Sequence, residues 1–351
     1  MARTTATNFS GGLQFPYATA ATDVFKKEDL QTLAQAVDQH DHTAGKGVAV
    51  NTAPAAGSIT NAMLGADVAR GNLLTNGGLE IWSRGLGPFS NTFAADRWLL
   101  SPGAGSTMSG TRIAGNGGGF ALQVVYTHST ASGVSQDIQA NENPVLPGKV
   151  VSFSADVNAS VAGAAQLKIL TNGAGAINVV SSFHPGGSTW QRLTVTATTN
   201  AATTDVQVSL ALSASGTFQF DNAMLVVGSQ PANYAPLTPA DDLARCLRYY
   251  TLYNTIGGNQ ILGVGHASAA TNAYVPWRFP VVMAVIPTIT VSSPGHFQLL
   301  NGSVTPTSLT AAVSPYGGHL AVGVASGLVA GNAVSLQGNN AAANIVAESN
   351  P

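Results

Sequence analysis

Gln191-Arg192-Leu193-Thr194-Val195-Thr196-Ala197 and, after residues 198–205, Val206-Gln207-Val208-Ser209-Leu210-Ala211-Leu212 put an apolar or small side chain at every second position. A period of two sends alternate side chains to opposite faces of an extended chain, so each segment reads as a half-buried strand. The same period recurs at Phe120–Tyr126, Val150–Val157, Ala165–Leu170 and Thr217–Val227, with Gly, Asn, Ser and Pro between them. No amphipathic helix interrupts the series. Many short alternating strands without crossover helices predict a two-sheet sandwich of jelly-roll type over residues 72–236.

Outward from that block the pattern changes. Before it, Leu30, Leu33, Ala34 and Val37 recur at helical spacing, predicting one helix from Asp23 to about His40. Ahead of that helix the chain is polar and aperiodic, with Phe15-Pro16-Tyr17 as a single sticky point; behind it, residues 51–71 read as a linker. Residues 1–71 are therefore expected to form an N-terminal arm, helix and linker. After the sandwich, Thr238 is placed to cap a short helix that starts at Pro239 and carries Asp241 and Asp242 in its first turn. Further candidate strands follow at 248–254, 260–266, 271–275, 287–292, 308–313 and 320–324, which predicts a smaller C-terminal β domain over 237–351. The fold class expected is mainly β.

Composition narrows the function. Lys and Arg number 14 against 16 Asp and Glu, only 9% of the chain, and the formal net charge is -2. That leaves no basic field to neutralise phosphates, so nucleic acid is not an expected partner. No apolar run approaches the 18 or so residues of a membrane span, and no membrane partner is expected. The opening MARTTATNFSGG lacks the charged region and apolar run of a secretory signal, so export by that route is not expected. From Tyr249 to Pro351 the only charged side chains are Arg278 and Glu348. A surface so bare of charge is expected to be hidden against copies of itself, in a homo-oligomer.

Four side chains are candidate metal ligands. His40 and His42 form a His-x-His pair whose rings point the same way in an extended segment; three chains meeting on an axis would offer six imidazole nitrogens to an Fe, Ni or Zn ion. A solvent-exposed polar turn with Asp41 capping locally is the plainer reading of His40-Asp41-His42. Glu80 and Asp221 lie in glycine- or asparagine-bearing contexts near the first and last strands, and their hard oxygens would suit Ca²⁺. Spacing alone does not bring them together. Trp82 is a candidate for stacking on a sugar, whereas Trp98 and Trp190 sit in patterns that read as core. The remaining histidines and carboxylates are scattered outside any nucleophile motif, Cys246 lies on the apolar side of its helix, and Gly117-Gly118-Gly119 lacks the context of a phosphate loop. No catalytic residue is assigned and the chain is not expected to be an enzyme.

Asn72-Leu73-Leu74-Thr75-Asn76-Gly77-Gly78-Leu79-Glu80-Ile81-Trp82, then Ala95-Asp96-Arg97-Trp98, then Phe220-Asp221-Asn222-Ala223-Met224-Leu225 together resemble the jelly-roll modules of tailed-phage fibre and appendage proteins, which are akin to carbohydrate-binding modules. Leu243–Tyr250 with Trp277-Arg278-Phe279-Pro280 and Met283–Thr288 resembles the β domain common behind those modules. His40–Gly47 is similar to the segment after the attachment helix of such virion proteins. The resemblance implies a trimeric structural component of a phage virion, on tail, neck or head. It would be attached through its N-terminal region to other virion structural proteins, with host surface polysaccharide as a further partner. It also implies a structural Ca²⁺ held by Glu80 and Asp221. A cellular carbohydrate-binding protein and a polysaccharide depolymerase are the alternatives; the missing signal segment argues against the first, the absence of a long repetitive β-helix segment against the second.

Overall fold

The structure is a computed structural model that describes residues 5–6, 15–16, 71–139, 143, 146–254, 258–300 and 302–350. The expected helix at 23–40, the His40/His42 pair and residues 51–70 of the expected linker lie outside the described residues. Within the first compact unit, Met1–Thr60, β1 (Thr5–Ala6) pairs antiparallel with β2 (Phe15–Pro16).

The second unit, Asn61–Pro351, is mainly β. Ten strands form its sandwich: β3 (Leu99–Ser101), β4 (Thr107–Ala114), β5 (Phe120–Thr127), β6 (Ser132–Gln139), β7 (Val150–Ala159), β8 (Ala165–Gly173), β9 (Asn178–Val180), β10 (Trp190–Thr198), β11 (Thr203–Leu212) and β12 (Gly216–Val227). They form two five-stranded antiparallel sheets, in the orders β10-β7-β12-β5-β4 and β3-β6-β11-β8-β9. The alternation legible in the sequence is what closes them. Leu193, Val195 and Ala197 of β10 face inward beside Val151, Phe153, Ala155 and Val157 of β7. Val206, Val208 and Leu210 of β11 do the same from the opposing sheet. Trp98 sits edge-on to Phe220 at 4.9 Å between centroids, and its indole donates to the Asn76 carbonyl at 2.9 Å. A buried indole N–H thus keeps a partner while its ring fills the core.

α1 (Pro239–Leu247) follows, with Thr238 Oγ1 accepting from the Asp241 N–H as the sequence predicts. The C-terminal β domain then builds a three-stranded sheet, β13 (Tyr250–Asn254), β21 (Asn344–Glu348) and β16 (Thr288–Val291), in the order β13-β21-β16. Its second sheet runs β17-β20-β14-β15-β19-β18, from β14 (Ile261–Ala269), β15 (Asn272–Arg278), β17 (Phe297–Leu299), β18 (Pro306–Ser314), β19 (Gly317–Val324) and β20 (Ala333–Gly338). Its core, which includes Val275, Trp277, Phe297, Leu320, Val322 and Leu336, is separate from that of the sandwich.

Two arginines join the domains. Arg84 pairs with Glu348 at 2.6 Å, stands 3.7 Å from Asp96 and lies over the Tyr250 ring at 3.8 Å. Arg97 lies over the Tyr249 ring at 3.7 Å and donates to Asn350 Oδ1 at 3.2 Å. Burial pushes the Asp96 carboxyl above its ordinary range, against the pull of its bond from Ser83 and the Arg84 charge. From α1, Asp242 accepts the Asn76 N–H at 2.8 Å and Arg245 donates to the Asn72 carbonyl at 3.0 Å. The Asp96-Arg97 and Tyr249-Tyr250 motifs of the sequence are therefore two sides of one junction.

Candidate functional site

The β4–β5 hairpin ends in the loop Gly115–Gly119, and this loop collects the two carboxylates that the sequence left apart. Asp221, 1% exposed, accepts the Asn116 N–H at 2.7 Å through Oδ2 and the Asn222 N–H at 2.6 Å through Oδ1. Glu80 accepts the Phe120 N–H at 3.1 Å. Asp156 stands opposite Asp221 on the neighbouring strand, but its charge is already answered by Arg192 at 3.0 Å, and its second oxygen takes the side-chain amides of Asn116 and Asn222. The strand β12 breaks register between Asp221 and Met224, with Asn222 at φ 52°, which lets the chain turn its polar groups toward the loop.

Burial is the main reason the Asp221 carboxyl is pushed up to about 7, with Asp156 and Glu80 adding to it and its two backbone bonds opposing. Burying a carboxylate beside two others is costly without a counter-charge. The loop is shaped for one. On the side of Gly115 where a side chain would project, the Gly118 carbonyl, Asp221 Oδ2 and the Phe120 carbonyl converge, at 2.5, 2.8 and 3.0 Å from the position a Cβ would take. At Gly119, φ +66°, a Cβ would overlap the Glu80 carboxylate. Glycine is required at both places for oxygens to gather. Among the described residues no three His, Cys, Asp or Glu side chains are grouped to hold a metal. Any ion here would take Glu80 and Asp221 plus main-chain carbonyls, a hard-oxygen donor set that fits Ca²⁺ and does not suit a softer metal.

The open face of the β3-β6-β11-β8-β9 sheet is a second feature. Register places Asp137, Gln207 and Leu170 in one cross-strand row, Ser135, Ser209 and Lys168 in the next, and Gly133, Ala211 and Gln166 in a third. Ser135 and Ser209 are 6% and 5% exposed, and at the β3 edge Phe93, Arg97 and Leu99 border Ser135 and Asp137. Gln207 donates to Asp137 at 2.8 Å and Asn172 to Asp205 at 2.8 Å. The outer face of the other sheet is covered: Met224 and Val226 pack on Ala232, and Ser152 and Ser154 bond the carbonyls of Gly228 and Ala232. Sequence alternation marks outward positions, but not which sheet is left open.

Trp82 is placed otherwise than a sugar-stacking residue. It is 8% exposed, its indole donates to the Leu79 carbonyl at 2.5 Å, and its ring packs on Phe89, so no face is free. The turn at Asn76-Gly77-Gly78-Leu79, with Asn76 and Leu79 at positive φ, folds the chain back and carries Trp82 inward. Cys246 is 1% exposed and burial pushes its thiol well up, as expected of a small apolar core residue. His184 is buried, with Nδ1 accepting the Gly186 N–H at 2.9 Å and Nε2 3.1 Å from the Thr189 carbonyl, which occupies both ring nitrogens structurally.

No protein-family model matches the chain. No curated protein matches it either. Among solved structures it is similar to the CBM22-1–GH10 modules of a Clostridium thermocellum xylanase complexed with xylohexaose, at 14% identity and a TM-score of 0.31 over 40% of this chain and 28% of that one. It is also similar to the enzymatically active domain of bacteriophage CBA120 tailspike protein 4, at 14% identity and a TM-score of 0.32 over 45% of this chain and 21% of that one. A third likeness is the family 11 carbohydrate-binding module of a Clostridium thermocellum cellulosomal cellulase, at 17% identity and a TM-score of 0.30, covering 41% of this chain and 95% of that one. The chain thus spans well under two thirds of the first two.

Proposed function

We propose that the chain is a non-catalytic structural component of a tailed-phage virion appendage: a homotrimer attached through residues 1–71, with the open sandwich face contacting host surface polysaccharide. The observation that carries the self-association is an apolar groove of about 600 Å³ between β16 and β18, lined by Ile286, Ile289, Val291, Leu309 and Val313. Ile286, in its lining, is 66% exposed. β16 and β18 are each terminal in their sheets, so each offers an unpaired edge, in a tract with two charges. Apolar edges without charged guards favour pairing with another copy. The virion assignment rests on the sequence resemblance. Polysaccharide contact is supported by the open polar sheet face, and weak single sites on three linked copies would gain strength through effective concentration. Ca²⁺ between Glu80, Asp221 and the Gly115–Gly119 loop would hold the sandwich's end closed. His40 and His42 would hold a transition metal on the trimer axis.

Light scattering of the purified chain tests the assembly. Three times the 35.5 kDa chain mass is expected, and Ile286→Glu should shift it toward one. A stable wild-type monomer refutes the proposal; a trimer unchanged by Ile286→Glu moves the interface away from the groove.

A further inference from the structure

The outer face of the six-stranded C-terminal sheet carries a row of rings with no evident structural duty. Register sets His266 of β14 beside Tyr274 of β15, and Pro276 of β15 beside His319 of β19. The Tyr274 ring stands 6.1 Å from His266 and 5.0 Å from His319, edge-on to the latter. At the end of the row Arg278 pairs in register with Gly317, beside the hairpin tip that carries Tyr316. Arg278, Tyr316, Pro276, Ser314 and Gly318 border a hollow of about 250 Å³.

Three properties set this face apart. Tyr316 at 67% has the highest exposure of any large hydrophobic side chain among the described residues, and Tyr274 is 36% exposed. Arg278 is the only cation after Arg248, and the only carboxylate of that tract, Glu348, is held by Arg84. The Arg278 guanidinium makes no hydrogen bond or ion pair among the described residues, so its charge is unopposed. Between the rings the neighbouring positions are small. Ala312 and Ala321 flank His319 and Tyr274, and Gly317 and Gly318 leave bare backbone beside Arg278, as no Cβ fits at either glycine.

Exposed flat rings with small residues between them suit the apolar faces of sugar rings, and a guanidinium suits a carboxylate in bidentate geometry. We infer that this sheet face binds an acidic polysaccharide of the polyuronate class, with Arg278 pairing a uronate carboxylate and Tyr274 and Tyr316 stacking on sugar rings. The inference deepens the proposed contact with surface glycans and rests on that reading, but assigns it a second face with its own chemistry.

Affinity electrophoresis of the full chain through gels containing polygalacturonate, alginate or hyaluronan tests it, with methyl-esterified polygalacturonate as the uncharged control. Retardation by at least one acidic polymer is expected. It should weaken about tenfold in Arg278→Gln and in Tyr274→Ala, fall as salt screens the pair, and be lost on the ester. Thermal melts check that both variants fold, and Arg278→Lys, which keeps the charge without the fork, should recover part of the binding. Absence of retardation by all three acidic polymers overturns the inference, as does retardation insensitive to esterification or to Arg278→Gln. Loss confined to Lys168→Gln or Gln207→Ala on the sandwich face also overturns it, while leaving the proposed function standing. The trimer mass fails or holds independently of all these outcomes.

Discussion

Chelating calcium from the full chain at pH 7.5 should lower its melting temperature, and the same treatment at pH 4.5 should not. The reasoning starts from Asp221, whose carboxyl is pushed from 3.8 up to about 7, chiefly by burial. A carboxyl with a raised folded value contributes stability that is complete below its unfolded value and is lost as pH climbs through the folded one. Between those limits the folded chain holds the extra proton, so stability without calcium falls as pH rises from about 4 to 7. At 1.36 kcal/mol per pH unit the penalty is up to roughly 4 kcal/mol. A divalent cation replaces that proton and reverses the trend, because it binds the ionised form. Calcium at a hundred times its dissociation constant adds about 2.7 kcal/mol, or roughly 5–10 °C for a domain of this size. Differential scanning calorimetry with and without chelator, at both pH values, reads the difference directly. Asp221→Asn should abolish the calcium response at pH 7.5. Identical melting with and without chelator at pH 7.5 would refute the argument and return Glu80 and Asp221 to hairpin-loop acceptors.

Arg84→Ala should destabilise the full chain by about 3 kcal/mol, since it strips the partner from the buried Asp96 and from Glu348 at the domain junction; chemical denaturation checks it, and a loss under 0.5 kcal/mol would show the junction is held elsewhere. Thr238→Ala should cost about 1 kcal/mol through the lost helix cap in the same assay. Elemental analysis of the purified protein should find near one transition-metal ion per three chains, lost in His40→Ala and in His42→Ala; a metal content unchanged by either substitution refutes the proposed His40/His42 site.

The inward faces of β7, β8, β10, β11 and β12 were legible because a strand buried on one side repeats with period two, and nothing in Val206–Leu212 or Val150–Val157 competes with that signal. β4 and β6 were not. Thr107–Ala114 breaks the alternation at Gly110, where Leu100 Cδ1 lies 2.7 Å from the place a Cβ would occupy, so the core is filled there from the opposing sheet. Ser132–Gln139 presents Gln136 inward, and that amide is satisfied by both the N–H and the carbonyl of Thr75, a partner 61 residues away. β20 and β21 carry the same period, with Val334 and Leu336, and Ile345 and Ala347, turned inward, but the alternation is short and sits among Gly- and Asn-bearing turns; pairing places Ala333–Gly338 between β14 and β17 and Asn344–Glu348 between β13 and β16. Glu80 and Asp221 were legible as residue types, but their shared loop was not. That Gly115 and Gly119 admit oxygens where a side chain would stand is a fact of the folded hairpin, and spacing carries no trace of it.

The polar and aromatic faces divide the work of a surface that is poor in charge. Outward positions on the sandwich sheet are filled by Asp137, Gln207, Asn172, Asp205 and Lys168, and across strands Gln207 donates to Asp137 and Asn172 to Asp205. On the C-terminal sheet the corresponding positions are His266, Tyr274, Pro276 and His319, of which His266 and His319 pack their rings on Tyr274 and leave Arg278 unanswered. Solvation alone would favour the first kind of face, since amides and carboxylates are readily hydrated whereas exposed rings bring apolar area into water. Rings on an open sheet beside a lone guanidinium are a composition that solubility does not select, and a ligand with both flat apolar faces and a negative charge accounts for both at once. The apolar groove between β16 and β18 requires a different occupant, because it lacks the cation and the aromatic rings and has unpaired strand edges instead. A second copy of the chain at the groove and an acidic glycan on the ring face therefore make separable demands, and Ile286→Glu and Arg278→Gln should each disturb one while sparing the other.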